Sequence, residues 1–161
     1  MREFASLVAV RNRKLDRFRT AEHHAKRERI QAVKAVEAAR AAVEEYRKEI
    51  MTLEIELLNE VLNTHVAVTD LTAIEQTLKA AEDKAHELLV EVGQAEYVLK
   101  DAEDAQRQAS LDKRVAQASL NKSKEILNVL KEEHKAALVQ AEDAEIDAFV
   151  EVRYGGAGTS R

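Results

Sequence analysis

The sequence contains no cysteine, no proline and no tryptophan, and only 4% of its residues are aromatic. The absence of cysteine excludes disulfides and thiol chemistry, and it is typical of a reducing compartment. Because proline is the strongest helix breaker, its absence leaves long stretches free to form helix. No apolar run approaches the ~20 residues of a membrane span, and basic residues interrupt the N-terminus too early for a signal peptide. We therefore expect a cytoplasmic protein without membrane insertion.

What the chain does contain is a seven-residue repeat that keeps its phase along its length. Apolar residues recur at alternating steps of three and four, which places them on one stripe of a helix and predicts a left-handed coiled coil. We call this stripe the seam. Its apolar members include Phe4, Val8, Leu15, Phe18, Ala25, Ala32, Val36, Val43, Tyr46, Ile50, Leu53, Leu57, Leu71, Leu78, Ala81, Leu88, Ala95, Ala109, Ala116, Leu120, Leu127, Leu130, Ala137, Ala141, Ala144 and Ala148.

A turn is predicted near the middle of the chain. Residues 59–72 are mostly Asn, Thr, His, Val and Asp, which are poor helix formers or compete for backbone hydrogen bonds. Thr69 or Asp70 is expected to cap a second helix. The predicted fold class is therefore all-α: a long antiparallel two-helix coiled-coil hairpin with a C-terminal helical overhang. Residues 1–152 form this single hairpin, with arm one over 5–66, the apex over 63–70 and arm two over 70–152, and 153–161 form a disordered tail.

Folding the chain back about residue 67 brings the polar interruptions of the seam together. The three expected pairs are Arg11 with Ser123, Glu22 with Lys113 and Arg29 with Gln106. Such mirrored breaks favour pairing within one chain, and we expect a monomer. Two unbroken helices in a swapped antiparallel dimer would give the same pairs, so that alternative stays open.

The open end of the hairpin is the candidate binding surface. Arm two extends past the mirror partner of Phe4, so residues 131–152 overhang as a single helix. Here large apolar residues spread off the seam, and exposed apolar patches usually meet a partner. Arm one carries a basic band, which consists of Arg11, Arg13, Lys14, Arg17, Arg19, Lys26, Arg27 and Arg29. The candidate partner-binding residues are Leu7, Val10, Arg11, Arg13, Lys14, Arg17, Leu138, Ile146, Phe149 and Val152.

Charge is distributed unevenly along the chain. Residues 1–30 carry nine Lys/Arg against four Asp/Glu, whereas residues 131–151 carry two against seven. The basic band lacks the interleaved aromatic residues on which bases stack, and arm two brings acidic residues near it, so we expect no nucleic-acid binding. Acidic loops of a protein ring are at least as plausible a target.

No arrangement of residues in this sequence predicts a catalytic, cofactor or metal site. The histidines lack ExxH or HxxxH spacing, and no glycine-rich phosphate loop or nucleophile elbow is present. We therefore expect no metal, no cofactor and no enzyme activity.

The opening segment Leu7-Val8-Ala9-Val10-Arg11-Asn12-Arg13-Lys14 and the Arg/Ala-rich run that follows it resemble one known family. They are similar to the central-stalk proteins of type III secretion ATPases, the FliJ-like and YscO-like family. The resemblance implies an antiparallel coiled coil similar to that of the rotary ATP synthase gamma subunit. It also implies that the terminal end enters a hexameric secretion ATPase, and that the other end reaches the export gate and escort chaperones. The chain would then be peripheral at the secretion apparatus.

Two other functions remain open at this point. One is a self-assembling structural or scaffold coiled coil, which would show a concentration-dependent oligomer. The other is a helical chaperone or adaptor that grips its clients along the whole rod.

Overall fold

A computed structural model describes residues 1–63, 65 and 67–156 of the 161-residue chain. Within that part, two helices account for nearly every residue and there is no strand: α1 spans Arg2–Asn63 and α2 spans Val68–Gly155. The buried and half-buried positions of both helices follow the predicted seam. The predicted all-α fold of two long helices packed against each other is confirmed.

The two helices contribute to two compact units, each of which contains a piece of both. Unit 1 consists of Met1–Arg19 and Leu111–Arg161. Its core is a cluster of Leu15, Ala116 and Leu120, with Val8 and Phe18 packed against it. Seam residues of α1 thus meet seam residues of α2, as the repeat predicts.

The direction of packing in unit 1 follows from its hydrogen bonds. Arg11 contacts Ser123, and Arg19, further along α1, contacts Gln117, which is earlier in α2. The pairing therefore runs antiparallel. The predicted pairing of Arg11 with Ser123 is confirmed.

Unit 2 consists of Thr20–Ser110. Small and β-branched residues dominate its buried positions: Ala25, Ala32, Val36, Val43 and Ala81. Such residues let two helices approach to the short end of the ~8–10 Å interaxial range.

Unit 2 is also antiparallel, because its contacts along α1 and α2 run in opposite directions. Arg40 forms an ion pair with Glu96 at 2.8 Å, and the Tyr46 ring, further along α1, lies under Lys84. The Glu22 carboxylate accepts one hydrogen bond from the Ser110 hydroxyl and pairs with Lys26 within this unit. The pairings of Glu22 with Lys113 and Arg29 with Gln106 stay predictions.

The beginning of α2 differs from the sequence-based expectation. Neither Thr69 nor Asp70 is the capping residue, because α2 already begins at Val68. Ala67 stands at the N-cap: its carbonyl accepts from the amides of Asp70 and Leu71, and its own amide donates to the Asp70 carboxylate at 3.3 Å. Asp70 acts from the third helical position, reaching back as the acidic residue of a capping box does. Of the predicted apex, Thr64 and Val66 lie outside the described residues.

The end of α2 also lies further along the chain than the sequence suggests. The helix runs through Arg153 and Tyr154 to Gly155, residues assigned by sequence to the tail. The Arg153 guanidinium lies 5.7 Å from the centroid of the Phe149 ring. Its positive charge in the last turn also interacts favourably with the helix dipole. Residues 157–161 of the predicted tail lie outside the described part.

Candidate partner-binding surfaces

An outward stripe runs along the first turns of α1 in unit 1. Leu7, Val10, Lys14 and Arg17 follow one another at steps of three, four and three, so they share one face of the helix. All four are exposed, as is the neighbouring Arg13. The structure therefore places two apolar and two basic predicted site residues side by side on a surface that α2 does not cover.

Arg11 does not belong to this outward stripe. Its Nη1 donates to the Ser119 carbonyl at 2.9 Å and also to the Ser123 hydroxyl. Ser123 is only 1% exposed. Arg11 is therefore half-buried against α2, and its guanidinium is engaged within the fold.

Lys14 combines apolar and polar surroundings at the edge of the stripe. Its ammonium lies 5.8 Å from the centroid of the Phe18 ring, which is within the distance of a cation–π contact. Lys14, Phe18 and Val115 line an open groove of about 380 Å³ in unit 1. The groove is an open feature of the surface between α1 and α2.

The last part of α2 is exposed on every side. From residue 131 to residue 156 no side chain is buried or even half-buried. Ile146 and Phe149 lie three residues apart and form one apolar face with Val139 and Val150. Phe149, the largest of them, is 61% exposed. This face contributes no packing to the fold.

The opposite side of the same segment continues the seam. Ala137, Ala141, Ala144 and Ala148 keep the three-and-four spacing, but no described residue covers them. Leu138 lies eleven residues before Phe149, which is about three full turns, so it falls beside Phe149 at the edge of the apolar face. Val152 lies three residues after Phe149, between that edge and the seam side. A helix with apolar residues on opposite sides is suited to burial on both.

A third exposed stripe escaped the sequence-based prediction. Met51, Ile55, Leu58 and Leu62 lie in the last turns of α1, in unit 2, at steps of four, three and four. They are 57–78% exposed. The sequence carries this stripe as a second, shorter heptad pattern that is offset from the seam.

Among the described residues, no group of three or more His, Asp or Glu side chains has the geometry to hold a metal ion. No helix in the described part of the chain has the length and apolarity to cross a bilayer. The chain matches no family model, no curated protein and no solved structure. The fold therefore defines a broad class, the two-helix antiparallel coiled coils, and its surfaces must carry any inference about function.

Proposed function

We propose that this chain is a non-enzymatic stalk of a bacterial type III secretion or flagellar export ATPase. The chain couples a hexameric ATPase ring to the export gate and to escort chaperones, and it acts in the cytoplasm at the periphery of the secretion apparatus. The resemblance of residues 7–14 to that family motivates the identity of the partner. The exposed surfaces of unit 1 supply the physical support.

The observation that carries the proposal is the bare helix at residues 131–155. Its apolar face around Ile146 and Phe149 is too exposed to serve folding, and burying such side chains would contribute roughly 1.5–3 kcal/mol each. The lumen of a ring surrounds a stalk on all sides, so it suits a helix with apolar residues on opposite faces.

The outward stripe of α1 supplies the electrostatic part of the interaction. Lys14 and Arg17 are exposed next to Leu7 and Val10. Such cations would meet acidic loops of the ring, and their contribution to the association rate would fall with ionic strength. Both kinds of contact belong to unit 1, whereas the gate and chaperones would use surfaces elsewhere on the chain.

The decisive test measures ATP hydrolysis by the candidate ATPase with and without this protein. The full chain should bind the ring and change the turnover, whereas a chain truncated after Leu130 should do neither. The full-length variant carrying Leu138→Ser, Ile146→Ser and Phe149→Ser should bind more weakly while its helicity persists. A matched control replaces three comparably exposed apolar residues of unit 2: Leu89→Ser, Tyr97→Ser and Val98→Ser.

The control variant should behave like the unchanged protein in the same assay. If the full-length and truncated chains leave turnover and ring binding equally unaffected, the stalk proposal fails. A scaffold role would then be the better explanation of the coiled coil.

A further inference from the structure

The last turns of α1 carry two separate apolar stripes. The seam positions Ile50, Leu53 and Leu57 are half-buried against α2, as the coiled coil requires. Met51, Ile55, Leu58 and Leu62 form the second stripe, whose exposure is 57–78%. We call this second stripe the outer stripe. It lies wholly within unit 2, so it is distinct from the unit 1 surfaces that the stalk proposal assigns to the ATPase ring.

The outer stripe has clear limits along the helix. One heptad before Met51 stands Glu44, which pairs with Arg47 at 2.9 Å, and the next stripe position is Lys48. At the other limit, α1 ends at Asn63, directly after Leu62. The outer stripe is therefore a short segment of about three turns, bounded by charges on one side and by the helix end on the other.

The spacing of the outer stripe selects the kind of surface that would cover it. Apolar residues at steps of four, three and four form the repeating knobs of a coiled coil, which insert between the side chains of a facing helix. A facing helix matches this period along the whole segment. A flat or irregular surface would leave part of the stripe exposed.

The residues beside the outer stripe favour a second copy of the chain. In an antiparallel pair centred between residues 56 and 57, Met51 meets Leu62 of the other copy and Ile55 meets Leu58. At one edge Glu54 faces Val61 of the other copy and at the other edge Thr52 faces Asn59, so no like charges face each other. The pairing is self-complementary, as a twofold interface must be.

The alternative parallel pairing brings like charges together. It would set Lys48 beside Lys48 of the other copy on the stripe itself, where repulsion opposes association. In the antiparallel arrangement Lys48 lies beyond the end of the facing helix segment. We propose that the outer stripe is an antiparallel self-association surface, through which two copies of this chain pair along the last turns of α1.

The small size of the outer stripe determines how strong the association is. Four side chains per copy are far fewer than the ~20–30 residues a side of a standard stable interface. The dimer is therefore of the weak, transient class, which forms as the protein concentration rises and falls apart on dilution. The association of two copies does not depend on any ATPase.

Sedimentation equilibrium over a concentration series, from low micromolar to about millimolar, tests the association. The unchanged protein should show a mass that rises from monomer toward dimer. The double variant Ile55→Ser/Leu58→Ser should stay monomeric at all concentrations, and circular dichroism should show unchanged helicity. Ile30→Ser is the matched control, since Ile30 is also an exposed apolar residue of α1 in unit 2 (49% exposed), and it should dimerise normally.

The absence of cysteine from the sequence permits a direct test of orientation. A spin label on the exposed Glu45→Cys, which leaves Lys48 in place, should give an interchain distance of about 35 Å in the antiparallel dimer, from 1.5 Å of rise per residue. A parallel dimer would bring the labels to about 10 Å.

Three results would overturn the proposal. The first is an unchanged protein that remains monomeric at the highest concentration, which would leave another helix as the occupant. The second is a dimer that persists in the double variant with normal helicity. The third is a label distance near the parallel value.

Discussion

The Arg11 guanidinium of α1 donates a hydrogen bond to the hydroxyl of Ser123 on α2, in the middle of the unit 1 seam. Ser123 in turn donates to the Ser119 carbonyl at 3.1 Å, and Arg11 reaches the same carbonyl at 2.9 Å. The polar breaks of two helices thus satisfy each other next to the Leu15–Leu120 core. A shift of one helix relative to the other would separate them, so this contact helps to define the register of unit 1.

Replacing Ser123 by alanine should therefore lower the free energy of unfolding by about 1–2 kcal/mol, because Arg11 loses an acceptor in a half-buried place. Urea denaturation followed by circular dichroism measures the change. The exposed Arg19, whose contacts to Asp16 and Gln117 are 3.4 Å long, is the control, and Arg19→Ala should cost less than about 0.5 kcal/mol. Equal losses in the two variants would show that the Arg11 contact has no special role.

Gly93 offers a second test, this time of a stabilising change. It lies inside α2 without a positive φ, and a Cβ added there would meet nothing within 4 Å. Gly93→Ala should therefore raise the free energy of unfolding by about 0.5–1 kcal/mol, since alanine loses less backbone entropy than glycine in a helix. Gly155→Ala, at the end of the same helix, should give a smaller gain. A loss of stability in Gly93→Ala would indicate that the glycine has a role beyond this packing.

The sequence alone was sufficient to predict the two helices, the seam and the pairing of Arg11 with Ser123. A heptad repeat constrains which side of every helical turn is buried, so the buried positions of α1 and α2 could be read from it. Helix ends depend on single contacts. The contact of Asp70 with the Ala67 amide and the stacking of Arg153 on Phe149 leave no periodic signal, and both ends were displaced by a few residues.

The candidate site was less predictable than the fold. Arg11 was predicted both as a seam residue paired with Ser123 and as a partner-binding residue, and its contact with Ser123 places its side chain in the seam. Conversely, the outer stripe around Ile55 has a legible heptad spacing, but its exposure depends on which of two apolar stripes α2 covers. A heptad pattern in the sequence shows that such an apolar face exists, but it does not show which of two faces the other helix buries.

A third prediction concerns the contact of Lys84 with Tyr46 in unit 2. The ammonium lies 4.7 Å from the centroid of the ring, well within the ~6 Å range of a cation–π interaction. A double-mutant cycle with Lys84→Gln and Tyr46→Leu should give a coupling energy of about 0.5–1 kcal/mol. Lys14 and Phe18 form a matched but longer pair at 5.8 Å, whose coupling should be weaker. Strictly additive effects at Lys84 and Tyr46 would contradict the assignment.

The final prediction separates residues that hold the fold from residues available to a partner. Leu120 is 1% exposed in the core of unit 1, so Leu120→Ala should cost about 2–5 kcal/mol through lost burial and a cavity. Phe149→Ser should change the free energy of unfolding by less than about 0.5 kcal/mol, because its ring is exposed and serine and phenylalanine have similar helix propensities. This limit on the free-energy change includes the loss of the contact between the Phe149 ring and Arg153. Urea titrations of both variants at low micromolar concentration provide the measurement. A large loss in Phe149→Ser would mean that residues 131–155 pack within the molecule, and the surface offered to a partner would then have to lie elsewhere.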